Sequence, residues 1–144
     1  MPIIALAADH AGYALKETLK AWLAENHKKF TVLDLGVDSE ERVDYPDFGH
    51  KAANALLEGK AEIGLIVCGS GIGISIAANR HPGIRAALCW NPEVAALARQ
   101  HNDANILALG ARLIDEQTAK DCLDTFLETP FDGGRHTDRV KKLG

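Results

Sequence analysis

Five short apolar runs, each followed by a longer stretch with helical spacing, constrain the fold of this chain more than any other feature. The runs cover residues 3–8, 30–35, 63–68, 84–88 and 105–109. After the first of them, apolar side chains recur on one helical face, at Leu15, Leu19, Trp22 and Leu23. Strands that alternate with helices form a parallel sheet covered on both faces, with right-handed crossovers. We therefore predict an α/β fold, a Rossmann-like three-layer αβα sandwich with a five-stranded parallel sheet.

The starts and ends of the helices carry recognisable signals. A polar loop is expected from residue 37 to about residue 46, and the helix after it ends at Gly59. Asn91 followed by Pro92 predicts a helix start, and Asp115 predicts another. The inner face of the helix after Asn91 is assigned to Val94, Leu97 and Ala98. We interpret residues from about 129 to 144 as a basic tail.

Composition excludes several classes of protein. With 144 residues the chain is expected to form one domain, residues 1–144. The net charge of −4 argues against nucleic acid as a partner. No apolar run approaches the roughly 20 residues of a membrane span, and the N-terminus lacks the basic region of a signal peptide. Three well-separated cysteines argue against a disulfide framework or a structural zinc site, so a cytoplasmic location is expected.

The segment Cys68-Gly69-Ser70-Gly71-Ile72-Gly73 is the sharpest local feature. It follows a buried strand and opens a helix, where glycines admit a close ligand and free amides favour an anion. A tight turn without a ligand is the alternative. A dinucleotide site is disfavoured, because the glycines follow the third strand and the acid at the expected distance, Glu93, lies inside a helix.

Two groups of polar residues at strand ends are predicted to share the crevice with this loop. A thiol at the position of Cys68 is available as a base or nucleophile, although a small buried apolar role is the alternative. Asp9 and His10 end the first strand and could move protons or hold a sugar and a phosphate. Asp9 could instead only cap the next helix. Cys89 and Cys122 are assigned to structure.

Cations near the end of the chain form a second candidate group. Arg112, Arg135 and Arg139, together with His136, suit phosphate oxygens, although a basic tail is also typical of a solvated face. Tyr45 could close over a substrate or be a loop aromatic. His101 near the end of a helix could simply complete the helix dipole. The remaining histidines, at positions 27, 50 and 81, are interpreted as surface residues.

Taken together, these segments resemble one known family. The matching motifs are Asp9-His10-Ala11-Gly12, Asp44-Tyr45-Pro46, Cys68-Gly69-Ser70-Gly71-Ile72-Gly73, Ser75-Ile76-Ala77-Ala78-Asn79, Arg99-Gln100-His101-Asn102-Asp103 and Gly133-Gly134-Arg135-His136. They run in order along nearly the whole chain. The chain resembles the type B ribose-5-phosphate isomerases of the ribose/galactose-phosphate isomerase family. Another branch of that family uses a glutamate just after the glycine loop, where this chain has Ile74.

The resemblance implies an aldose–ketose isomerase of the pentose phosphate pathway that needs no metal or other cofactor. It implies Cys68 as the base, His101 as the group that opens the sugar ring, and Asp9 beside the ring hydroxyls. Ser70 and the loop amides would stabilise an enediolate, helped by Asn102. The remaining substrate contacts implied are His10, Tyr45, Gly69, Gly71, Ile72, Gly73, Arg112, Arg135 and Arg139.

Chain direction adds an expectation about assembly. His101 and Asn102 end a helix that must run back down from the ligand edge, and about ten helical residues rise roughly 15 Å. They should therefore lie at the opposite edge of the sheet from their own Cys68. If both serve one substrate, a second copy supplies them, so we expect a homodimer with composite sites, with a tetramer as an alternative. The tail arginines are expected to cross in the same way.

Two rival functions remain open at this point. An isomerase of a six-carbon sugar phosphate, such as allose or galactose 6-phosphate, would need the same residues. A non-catalytic phosphate- or nucleotide-binding module would explain the glycines and arginines but leaves Cys68 and His101 without a role.

Overall fold

The computed structural model describes residues 1–144 and contains one sheet of five parallel strands. The strands are β1 (Ile3–Ala8), β2 (Thr31–Asp34), β3 (Ile63–Cys68), β4 (Ala86–Leu88) and β5 (Ile106–Gly110). Their order across the sheet is β2-β1-β3-β5-β4, and every neighbouring pair is parallel. The predicted α/β fold with a five-stranded parallel sheet is confirmed.

Six helices complete the chain. They are α1 (Tyr13–Asn26), α2 (Tyr45–Leu57), α3 (Ile72–Asn79), α4 (Pro92–Asn102), α5 (Glu116–Glu128) and α6 (Arg135–Leu143). None of them is both long and apolar enough to cross a lipid bilayer.

The helices cover the two faces of the sheet and make two large cores. One core contains Leu19 of α1, Ala95 of α4 and Phe126 of α5. The other contains Phe48 of α2 and Ile74 of α3. Side chains of β3 alternate between these cores, because successive residues of a strand point to opposite faces. The strand therefore delivers its last residue, Cys68, to the face covered by α2 and α3.

Two of the predicted helix starts are made by the expected side chains. Asn91 Oδ1 accepts a hydrogen bond of 2.9 Å from the Val94 amide at the start of α4. Asp115 Oδ1 accepts one of 2.7 Å from the Thr118 amide at the start of α5. These caps satisfy amides that have no partner inside the helix. They fix where the chain turns back from the carboxyl edge of the sheet.

Several element boundaries differ from the prediction. β4 begins at Ala86, because the backbone amide of Arg85 bonds the Asn105 side chain and not a strand. The residues interpreted as a basic tail include helix α6, which was not predicted because its nine residues include few apolar ones. In α4 the predicted inner residue Leu97 is 42 % exposed, since Ala95 and Ala98 face the core.

The interpretation of three histidines as surface residues is wrong for His27, and it missed a contact between the other two. His27 is buried between α1 and α5, and its Nε2 lies 2.8 Å from Asp124 Oδ1. His50 Nδ1 lies 2.7 Å from His81 Nε2, so these two rings form a partly buried pair. Partners from distant segments satisfy each ring, and such partners leave no periodic signal in the sequence.

Candidate active site

A cavity of about 540 Å³ opens at the carboxyl edge of β1 and β3, above the start of α3. It is lined by Asp9, His10, Ala11, Tyr45, Cys68, Gly69, Ser70, Ile72, Gly73, Ile76 and Arg112. Ligands of open parallel sheets bind at this edge, because the loops after the strands gather there. The structure thus brings together nine of the residues singled out in the sequence, while Gly71 lies in the same loop as the residue before α3.

Cys68 occupies the last position of β3 and faces both the core and the cavity. Its side chain is 4 % exposed, and its Sγ accepts a hydrogen bond of 3.1 Å from the Gly71 amide. In the same turn Ser70 Oγ accepts a bond of 3.1 Å from the Ile72 amide. The glycine loop therefore folds back over the sulfur and places an N–H donor against any negative charge that develops there.

The loop glycines make room for the side chains that shape the cavity. A Cβ atom on Gly69 would lie 3.0 Å from Arg112 Nη1, and one on Gly73 would overlap the ring of Tyr45. Gly71 has a φ of 77°, a left-handed conformation that side chains disfavour. These requirements go beyond a simple turn, because two of the three glycines are where Arg112 and Tyr45 pack against the backbone.

Asp9 and His10 are each tied to the backbone next to the cavity. Asp9 is 5 % exposed, and its Oδ1 accepts a bond of 3.0 Å from the Gly12 amide just before α1. Asp9 does not cap α1, because Gly12 is the N-cap residue and the helix has no side-chain cap bond. The Asp9 hydrogen bond instead closes the turn before the helix and holds the carboxylate at the cavity wall. His10 Nδ1 accepts a bond of 3.1 Å from the Val43 amide, a contact that the sequence did not reveal.

The other candidate residues lie elsewhere in the chain. His101 and Asn102 end α4 and do not line the cavity that holds Cys68. Asn102 borders a different cavity, of about 350 Å³, beside the start of β4. Arg135 and Arg139 lie on α6, also outside the cavity of Cys68. A single chain therefore holds the predicted site in two separate parts.

The second part is organised around two stacked histidines. The rings of His101 and His136 are 4.4 Å apart at an angle of 14°. Asp132, which the sequence analysis missed, has a carboxylate oxygen within 4.8 Å of both. Burial lowers the pKa of His136, and so do His101, Arg135 and Arg139 around it. The excess of cationic groups over the one carboxylate suits an anion better than a metal ion.

Nearly the whole chain matches known proteins of one family. The model of the family described as Ribose/Galactose Isomerase matches residues 4–143. A curated relative from Escherichia coli, named ribose-5-phosphate isomerase B, is 43 % identical over 143 residues, covering 99 % of this chain and 95 % of its own.

Two solved structures superpose along the same length. A ribose 5-phosphate isomerase from Thermotoga maritima has a TM-score of 0.94 and 52 % identity, covering 99 % of this chain and 97 % of that one. The ribose-5-phosphate isomerase B of Clostridium thermocellum has a TM-score of 0.96 and 48 % identity, with 99 % and 95 % covered. On the match to the family model and these relatives, the chain belongs to the ribose/galactose isomerase family.

Proposed function

We propose that this protein is an aldose–ketose isomerase that interconverts ribose 5-phosphate and ribulose 5-phosphate without a metal ion, as a step of the pentose phosphate pathway. The observation that carries the proposal is the Cys68 sulfur, which borders a cavity and accepts the Gly71 amide. The names of the relatives from Escherichia coli and Thermotoga maritima support the choice of substrate.

In the proposed reaction the Cys68 thiolate removes the proton from C2 of the open-chain aldose. The C–H electron pair forms the C1–C2 double bond, and the carbonyl oxygen at C1 takes up the negative charge. A proton then moves between O2 and O1, and the Cys68 thiol returns its proton to C1 to give the ketose. A positioned base of this kind contributes roughly 10²–10⁴ in rate.

The loop and its neighbours supply the remaining roles on this side of the site. Amides of the first turn of α3 have no partner within the helix, and with Ser70 they would stabilise the enediolate. Asp9 would hold ring hydroxyls and Tyr45 would line the sugar. His10 and Arg112 would hold the phosphate, whose binding energy fixes C1 and C2 in place.

We further propose that the site is completed by a second copy of the chain. His101 would assist ring opening, Asn102 would contact the enediolate, and Arg135 and Arg139 would add phosphate contacts, with residues from about 129 to 144 packed on the partner. The eleven residues of α4 rise about 16 Å away from the carboxyl edge, too far for one side chain to span.

The surface next to the cavity favours such an assembly. Trp90 and Leu113 are 59 % and 68 % exposed, and both line an apolar hollow together with Ile72. Exposed apolar side chains gathered beside a polar site are typical of a protein–protein contact. A homodimer would place the second copy here, and a tetramer built from such dimers would keep the same composite sites.

The test is complementation between two inactive variants. Cys68→Ala and His101→Asn homodimers should each turn over ribose 5-phosphate poorly. After subunit exchange, each mixed dimer holds one intact site, so an equal mixture should recover about a quarter of the wild-type activity.

Mixing Cys68→Ala with Cys68→Ser is the matched control, because both lesions then lie in the same half-site and nothing should return. Native mass spectrometry measures the exchange itself. If subunits exchange and the first mixture stays inactive, the composite site is wrong.

A six-carbon sugar phosphate is the second candidate substrate, because the matching family model also covers galactose isomerases. Turnover of ribose 5-phosphate should exceed that of allose 6-phosphate, and a chelator should leave both rates unchanged. A protein that only binds phosphates or nucleotides would show no turnover, and its ligand affinity would survive Cys68→Ala.

A further inference from the structure

The orientation of the His10 ring is set by the backbone of a distant segment. The amide nitrogen of Val43 lies 3.1 Å from His10 Nδ1 in a hydrogen bond that spans 33 residues of sequence. A peptide amide can only donate, so Nδ1 must be the acceptor and carries no hydrogen in this arrangement. The direction of the bond therefore assigns the tautomer of the ring.

A neutral histidine whose Nδ1 is bare carries its hydrogen on Nε2. Because Val43 occupies Nδ1, Nε2 is the only ring nitrogen left for the cavity that His10 lines. His10 consequently offers the cavity an N–H donor. Oxygens of a phosphate group, which only accept when ionised, are the matching ligand atoms.

The Val43 amide is itself held in place by the segment 37–44. At one end of this segment the Val37 amide donates to the Ala8 carbonyl at 3.0 Å, which ties it to the end of β1. Val43 packs against the core that contains Phe48. At the other end α2 begins with Tyr45, whose ring rests on Gly73. The donor is thus anchored between β1 and the glycine loop.

We propose that the Val43 backbone amide is a positioning group that fixes His10 as an Nε2–H donor for phosphate oxygens of the substrate. The phosphate assignment of His10 rests on the proposed function, whereas the tautomer rests on the hydrogen bond alone. Phosphate recognition by His10 then depends on the folded segment 37–44, although no side chain of that segment between residues 37 and 44 lines the cavity.

The tautomer is measured by NMR of the full protein labelled with ¹⁵N-histidine. The chain has six histidines, and the His10 signals are identified as those absent from His10→Gln. We expect the Nε2–H form. Addition of inorganic phosphate should shift the NMR signal of Nε2, whereas Nδ1 should remain without a hydrogen. The inference is overturned if the hydrogen is on Nδ1 and Nε2 has none, and this holds regardless of the measured enzyme activity.

Two pairs of variants separate positioning from folding. Val43→Pro and Val43→Ala both lose the valine side chain, but only the proline removes the N–H. Relative to Val43→Ala, Val43→Pro should populate the Nδ1–H form and raise KM for ribose 5-phosphate about 2- to 10-fold with kcat little changed. Circular dichroism and thermal unfolding confirm that both variants fold.

The second pair acts on the ring itself. Gln places an amide donor near the position of Nε2, whereas Asn reaches only the position of Nδ1. His10→Asn should therefore weaken inorganic phosphate binding about 10- to 100-fold, and His10→Gln should recover most of that loss. The inference is wrong if Val43→Pro matches Val43→Ala in both tautomer and KM, or if Asn binds phosphate better than Gln. Absence of wild-type turnover would instead reject the proposed function and leave the tautomer result standing.

Discussion

Two cysteines at the same edge of the sheet have opposite surroundings. Cys68 ends β3 and Cys89 follows β4 by one residue, and their side chains are 4 % and 1 % exposed. Cys68 Sγ accepts the Gly71 amide and borders the cavity. Cys89 is packed in the core on the other face and points its thiol at the Ala87 carbonyl, 3.6 Å away. Burial, with a smaller effect of Cys122, raises the pKa of Cys89 to about 12.

The difference shows that position at the carboxyl edge does not by itself make a thiol functional. Both sulfurs have little exposed surface, so exposure does not separate them. What separates them is the chain that follows each strand: the glycine loop after β3 turns an amide back onto the sulfur, whereas Trp90 and the capped start of α4 follow Cys89. Cys89 also borders a hollow, but that hollow is lined mostly by apolar residues. A backbone donor and a cavity with polar side chains are thus what make Cys68 the candidate base.

The largest expected effect is on catalysis. Cys68→Ala should lower kcat for ribose 5-phosphate about 10²–10⁴-fold, because it removes the proposed base. Cys89→Ala should keep kcat and instead lower the free energy of unfolding by about 0.5–3 kcal/mol, since it leaves a gap in the core. Steady-state kinetics and urea denaturation of the two variants give both quantities. Loss of kcat in the folded Cys89→Ala variant would contradict the proposed difference between a catalytic Cys68 and a structural Cys89.

A smaller effect is expected in chemical reactivity. Iodoacetamide should modify Cys68 in the native protein at least about tenfold faster than Cys89 or Cys122, whose buried thiols resist ionisation. Peptide mapping by mass spectrometry measures the three rates separately. Unfolding in urea should make the rates alike, and Cys68→Ala should show no fast modification. Equal native rates at all three sites would show that the loop gives Cys68 no special access.

The smallest effect concerns stability at high pH. Burial raises the pKa of Cys89 to about 12, well above the roughly 8.5 of an unfolded thiol. The folded state therefore holds this proton more tightly, so the stabilisation is complete below about pH 8.5 and is lost as pH rises towards 12. Its slope is at most about 1.4 kcal/mol per pH unit.

Cys89→Ala should accordingly show a flatter decline of unfolding free energy between pH 8.5 and 10.5 than the wild type. Urea denaturation at several pH values measures this slope, and Cys68→Ala serves as the control variant that keeps Cys89. An identical slope in wild type and Cys89→Ala would mean that this sulfur ionises as easily in the folded as in the unfolded chain.

The sequence was most informative where the candidate site is formed by consecutive residues. Cys68, Ser70 and Gly73 fall within six positions, so the strand end, the turn and the helix start could be read together. Asn91 and Asp115 likewise predicted helix starts from their immediate neighbours, and both side chains make the expected N-cap hydrogen bonds. Local backbone chemistry of this kind depends on a few neighbouring residues, which explains why it is visible in the sequence.

The sequence was least informative where a side chain meets a distant partner. His27 bonds Asp124 across 97 residues, and nothing near either position indicates the other. Helix α6 was missed because only two of its nine residues, Val140 and Leu143, are apolar. Asp132 was missed because only folding brings it beside His101. The Val43 amide is the extreme case, since nothing in the sequence around position 43 indicates that this backbone donor meets His10.

The amino-acid sequence alone determined the order of the five strands and of helices α1 to α5, the glycine loop after β3 and the placement of Cys68 at the carboxyl edge of the sheet. These follow from hydrophobic periodicity and local backbone preferences. The tertiary structure decided which polar groups share a cavity, which cysteine accepts an amide and which nitrogen of His10 remains free. Those outcomes depend on contacts between residues far apart in the chain, whose geometry exists only once the sheet and its helices have packed.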